Sequence, residues 1–183
     1  MIGQHLLRFF YKKRPKPDSF MYRDTIKHLS NIDGDTLDLG GGPGYLYLYL
    51  PVKNYYVVQD IDYIMLSHGE ADVDRVQAAA EEKVFRNGSF DNIIIHDALH
   101  HFNDVDETLY NVLAIARKTI LIFEIELGKL VGKIIKLFEL LLGFPGKFFK
   151  SEELARKVNE IDPRIKVEIV KMGKFRYLLR ILL

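Results

Sequence analysis

Cysteine is absent from the 183 residues. Disulfides, cysteine-ligated zinc, iron–sulfur clusters and thiol nucleophiles are therefore excluded. The chain also lacks an excess of one charge sign, with a net charge of +1. It has no run of about 18 apolar residues, so no bilayer-spanning helix is expected. The first residues contain Gln4, His5 and Arg8 and lead into a basic run rather than a small-residue cleavage site. No secretory leader is expected, and the expected location is cytoplasmic. Internal repeats and low-complexity segments are missing too.

What is present is ordinary for a globular protein: 48% hydrophobic and 28% charged residues. A chain of this length buries about 70% of its unfolded surface and needs no staples. One domain is expected. Its charge is uneven. Residues 1–17 carry five Lys/Arg and no acid, residues 18–127 eight basic and nineteen acidic groups, and residues 128–183 thirteen basic and six acidic groups. An acidic middle lies between basic ends.

Arg14-Pro15-Lys16-Pro17 is a linker, because proline restricts itself and its predecessor. It sets off residues 1–17, an aromatic and basic N-terminal segment that can act as a lid, from a domain over 18–183. Asp18 or Ser19 can cap a helix through Leu29. Strands are expected at Thr36–Leu39, Tyr55–Gln59, Arg75–Gln77, Phe90–His96 and Thr119–Ile125. Short helices are expected at Tyr45–Leu50 and Ile64–Gly69, and a longer one runs to Lys118, capped by Asp104 or Asp106. Further helices are expected at Leu127–Leu142 and at Ser151–Ile161, the second capped by Ser151. Arg164–Met172 and Phe175–Leu183 form a hairpin through Gly173-Lys174. Unbroken apolar runs such as Ile93-Ile94-Ile95 mark strands buried on both faces. The expectation is an α/β fold with a mostly parallel sheet, helices on both faces and one antiparallel strand near the C-terminus.

Asp38-Leu39-Gly40-Gly41-Gly42-Pro43-Gly44 follows the first strand. Glycines there let the backbone bend tightly and approach a ligand without a Cβ in the way. Open α/β sheets bind ligands beyond the carboxyl ends of such strands. The spacing is not the dinucleotide G-x-G-x-x-G, and no G-x-x-x-x-G-K-[ST] occurs.

The stretch resembles the first motif, D-x-G-x-G-x-G, of class I S-adenosylmethionine-dependent methyltransferases. The likeness continues through Asp60, through Val76-Gln77 followed by Ser89-Phe90-Asp91, and through Leu99-His100-His101 after the fourth strand. It implies the Rossmann-like class I fold with seven strands. It further implies S-adenosylmethionine as cofactor and S-adenosylhomocysteine as product. The cofactor-binding residues it implies are Asp38, Gly40, Gly42, Gly44, Asp60, Ile61, Ala79, Ala80 and Asp97. Asp60 would accept from both ribose hydroxyls, since a carboxylate offers the lone pairs two vicinal hydroxyls need. Asp62 is expected to point elsewhere. Ala79 departs from the family, which places an acid there for the adenine amino group. His100 and His101 are candidate catalytic bases, since imidazole titrates near neutral pH. Adjacent histidines diverge on a helix and no third ligand stands at standard spacing, so no metal is expected.

The expected function is methyl transfer to a small or lipophilic acceptor by in-line SN2 displacement. Lys129, Lys133 and Lys136 share one face of the apolar stretch Leu127–Leu142, which is compatible with peripheral membrane contact. The alternatives are a catalytically degenerate cofactor binder or partner subunit, which Ala79 keeps open, and an RNA methyltransferase gripping phosphates with the basic ends. The acidic middle argues against nucleic acid.

Overall fold

The computed structural model describes residues 15–19, 22–50, 54–69, 72–126 and 146–183. Seven strands form one sheet: β1 (Thr36–Leu39), β2 (Tyr56–Asp60), β3 (Asp74–Gln77), β4 (Phe90–His96), β5 (Ala116–Ile125), β6 (Lys166–Met172) and β7 (Arg176–Leu182). Their order is β3-β2-β1-β4-β5-β7-β6. The β1–β2, β2–β3, β1–β4 and β4–β5 pairs are parallel, and β7 runs antiparallel to both β5 and β6. The strand order reverses direction between β1 and β4, which is where this architecture opens a crevice.

Alternation along the strands builds two cores. Leu37, Leu39, Ile93 and Ile95 pack on one face against Leu109 and Val112 of α3 (Val105–Ile115) and Leu154 and Val158 of α4 (Ser151–Ile161). Val58, Ile94, Leu121 and Phe123 pack on the other. There they meet Leu29 of α1 (Arg23–Leu29), Leu46 of the 3₁₀ turn Tyr45–Tyr49 and Leu66 of α2 (Tyr63–Ser67). The expected Rossmann-like fold, with helices on both faces and one antiparallel strand, is the fold observed.

The element boundaries moved where tertiary contacts outweighed local propensity. α3, capped by Asp104, ends at Ile115 instead of Lys118. Ala116 already pairs with Phe90, and Arg117 is held by the Asp91 carboxylate at 3.1 Å. α1 begins at Arg23 without a side-chain cap, so neither Asp18 nor Ser19 serves as one. Ser151 does not cap α4 either. It is the first helical residue, fully buried, and its hydroxyl donates to Glu126 and accepts from Lys171. The expected helix at Leu127–Leu142 and most of the segment 1–17 lie outside the described residues. Among the described residues, no helix is long and apolar enough to cross a membrane.

Candidate active site

The glycine bend hangs from β2. The amides of Gly40 and Gly41 both donate to the Gln59 carbonyl, at 2.7 and 3.3 Å. Gly40, Gly42 and Gly44 take φ of 72°, 52° and 75°, a region L side chains rarely adopt. Gly41 has a different reason to lack a side chain: a Cβ there would sit 2.4 Å from the Asp38 carboxyl carbon.

Asp38 lies under that bend. It is 1% exposed, and its Oδ2 accepts from the Tyr56 hydroxyl at 2.9 Å. Its Oδ1 has no partner among the described residues. Burial pushes the carboxyl up to about 7, with the Tyr56 hydrogen bond opposing and the nearby Asp60 charge adding to the rise.

Asp60 ends β2 and ties the bend in place. Its Oδ2 accepts from the Gly42 amide at 2.9 Å and its Oδ1 from the Asp62 amide at 2.8 Å. Each oxygen keeps a second lone pair for a ligand hydroxyl. Burial raises its pKa, against the two backbone donors. Asp62 does point elsewhere: it caps α2, accepting from the Ile64 and Met65 amides.

These groups open onto a cavity of about 740 Å³. Gly40, Gly42, Ile61, Ala79, Ala80 and Asp97 line it, as do Asp38 and Asp60. Gly44 does not; it turns inward, packed on Val58. Gln59 donates to the Ala79 carbonyl at 2.7 Å, so that loop is pinned by its backbone. Glu81 does not stand in for the missing acid. Its Oε1 accepts from the Asn103 and Asp104 amides at 2.6 and 3.0 Å.

The two histidines part company. His101 lines the cavity, whereas His100 sits behind its wall, 5% exposed. The Nδ1 of His100 is 2.8 Å from Glu124 Oε2, its amide donates to Glu124 Oε1, and its ring stacks on Phe148 at 4.6 Å. As placed, His100 is a packing residue and not a base facing the cavity. His101 keeps solvent contact at the cavity mouth, yet its inner face is desolvated and close to the His100 ring, which pushes its pKa down to about 4. It is neutral at pH 7 and a weak base. No cluster of potential metal ligands occurs among the described residues.

A family model described as a methyltransferase domain matches residues 37–119, the span that holds the bend, Asp60 and the histidines. Over this span the chain is similar to class I methyltransferase domains. S-adenosylmethionine is the cofactor of that class. Solved structures agree in fold. A SAM-dependent methyltransferase from Aquifex aeolicus superposes with a TM-score of 0.71 at 14% identity, covering 96% of this chain and 97% of that one. One from Mesorhizobium loti gives 0.72 at 13% identity, covering 92% and 100%. One from Thermotoga maritima gives 0.70 at 14%, covering 99% and 95%. No curated protein sequence matches the chain.

Around the cavity, sequence reasoning missed one group. Arg176 of β7 is 3% exposed, and its Nη1 donates to Asp97 Oδ2 at 2.8 Å. Its Nη2 is 3.3 Å from His96 Nε2, which also faces Thr25 Oγ1 at 3.0 Å. A guanidinium only donates, so in that contact the imidazole nitrogen is the acceptor. The available signal was a pair of arginines, Arg176 and Arg180, inside the otherwise apolar run Phe175–Leu183.

Proposed function

We propose that the chain transfers a methyl group from S-adenosylmethionine to a small or lipophilic acceptor. The observation that carries this reading is the cavity over the Cβ-free bend, with an orphaned acceptor on Asp38 and open lone pairs on Asp60. The cofactor fits these groups: it is cationic at its methionine end and carries a ribose diol. Asp60 would hold the ribose, Ile61, Ala79 and Ala80 would flank the base, and Asp38 and the bend would face the methionine end. When bound, the cofactor supplies an electrophilic sulfonium methyl group and leaves as S-adenosylhomocysteine.

The chain's own contribution is alignment and exclusion of water. A neutral, weakly basic His101 supports alignment of an already nucleophilic atom over proton abstraction. Among the described cavity residues there is no Lys or Arg to grip phosphates, which disfavours an RNA acceptor. The apolar, lysine-bearing sequence of Leu127–Leu142, outside the described residues, supports a lipophilic acceptor and peripheral membrane contact by composition alone.

Titration calorimetry with S-adenosylmethionine tests the reading. Asp60→Ala should weaken binding by about tenfold or more, the scale of a lost charge-assisted hydrogen bond. Asp62→Ala removes only a helix cap and should change it far less. Equal effects would refute the assignment of Asp60.

A further inference from the structure

Asp97, at the carboxyl end of β4 and among the cofactor contacts implied by the resemblance, combines an unusual backbone conformation with a spare acceptor. Its φ is 51°, the single positive value at a non-glycine residue among those described. Its side chain is 7% exposed and lines the cavity. Oδ2 is taken by Arg176, while Oδ1 has no partner among the described residues. A desolvated carboxylate oxygen without a donor is costly, and the cost is recovered when a ligand supplies one.

The surroundings restrict that ligand. Asp38, Asp60, Asp62, Glu81 and Asp97 line the cavity, with no Lys or Arg among its described residues. Arg176 neutralises Asp97 from behind. An anionic acceptor would meet unfavourable potential and a cationic one favourable potential. Tyr22 and Phe102 line the same cavity, and aromatic rings attract cations.

We propose that the methyl acceptor is an amine, captured as its ammonium form, and that Asp97 Oδ1 takes one of its N–H groups, with Arg176 as the positioning residue that fixes the carboxylate; the ammonium would release one proton to solvent, and the freed nitrogen lone pair would form the N–C bond as the C–S bond breaks and S-adenosylhomocysteine leaves. This rests on the methyltransferase reading of the same pocket and adds the acceptor class to it.

The test uses the full chain saturated with S-adenosylhomocysteine. It is titrated with 2-phenylethylamine and with 3-phenylpropionate, probes matched in ring and differing in charge. The amine should bind at least about tenfold more tightly than the acid. Asn tolerates φ near 51° and can still accept from Arg176, but its amide group opposes a second donor. Asp97→Asn should therefore lose about tenfold more in amine affinity than in S-adenosylhomocysteine affinity. Equal affinity for acid and amine overturns the proposal, as does amine binding that Asp97→Asn leaves unchanged. An equal loss of product affinity in Asp97→Asn overturns it too, by making Asp97 a cofactor contact alone. In each of these cases product binding by the wild type leaves the methyltransferase reading standing. Absence of product binding in the wild type defeats that reading and the proposal with it. If Asp97→Asn fails to fold, the amine-against-acid comparison on the wild type decides alone.

Discussion

Asp38→Asn should make the ligand-free protein more stable, and more so as pH rises. The Asp38 carboxyl is fully buried, with its pKa raised from 3.8 to about 7 chiefly by desolvation. A carboxyl with a raised folded pKa favours the folded state only while protonated. Ionisation in the unfolded chain begins near pH 3.8, so the folded state loses relative stability from there upward until the folded group also ionises near pH 7. Each pKa unit corresponds to about 1.4 kcal/mol, so the penalty grows from about 0.5 kcal/mol at pH 4 to about 4 kcal/mol at pH 8. Asn carries no such penalty and can still accept from the Tyr56 hydroxyl. In a domain of this size about 1 kcal/mol moves the melting midpoint by about 2–4 °C. The midpoint of Asp38→Asn should exceed that of the wild type by about 10 °C at pH 8, with little difference at pH 4. Scanning calorimetry across pH 4–8 reads this directly. A difference independent of pH, or wild type more stable at pH 8, would refute the desolvated carboxyl. The same variant should bind S-adenosylmethionine less tightly, because a cationic methionine end loses its ionisable partner.

Three further outcomes follow from the site geometry. His101, held neutral by desolvation and by His100, should titrate well below 6.5 in an NMR pH titration of its imidazole protons, near the value of about 4; a midpoint at or above 6.5 would contradict its placement. Gly41→Ala should lower stability by about 1–3 kcal/mol in denaturant unfolding, the scale of an overpacked site, and weaken product binding, because the new Cβ meets the Asp38 carboxyl. Glu124→Leu should cost about 1–3 kcal/mol by leaving the buried His100 donors unsatisfied, with product affinity preserved; a selective loss of product binding would place His100 in the site after all.

Much of this was legible because local chemistry and topology agree. The triple isoleucine of β4 has to be buried on both faces, and alternating sides hand it to both cores. The glycine bend is legible because its geometry admits few other residues. Asp60 came from the family resemblance, and its Oδ2 does meet the bend, accepting from the Gly42 amide. Long-range partners were not legible. Asp97 and Arg176 lie 79 residues apart, and nothing local ties one to the other. Glu124, a lone acid in an apolar strand, gave no sign that it would pair with His100 instead of facing the cavity. The end of α3 was misplaced because pairing of Ala116 with Phe90 outweighs the helix-compatible sequence after Ile115. Ser151 was misread as a cap because Glu126 and Lys171 claim its hydroxyl from elsewhere in the fold.

A crystal structure with S-adenosylhomocysteine tests the central claim most directly. The account predicts both ribose hydroxyls within hydrogen-bond distance of Asp60, the chain of the amino acid over Gly40 and Gly41, and the sulfur facing the wall made by Asp97 and His101. Product bound elsewhere, or lying in this cavity with its ribose away from Asp60, would contradict it.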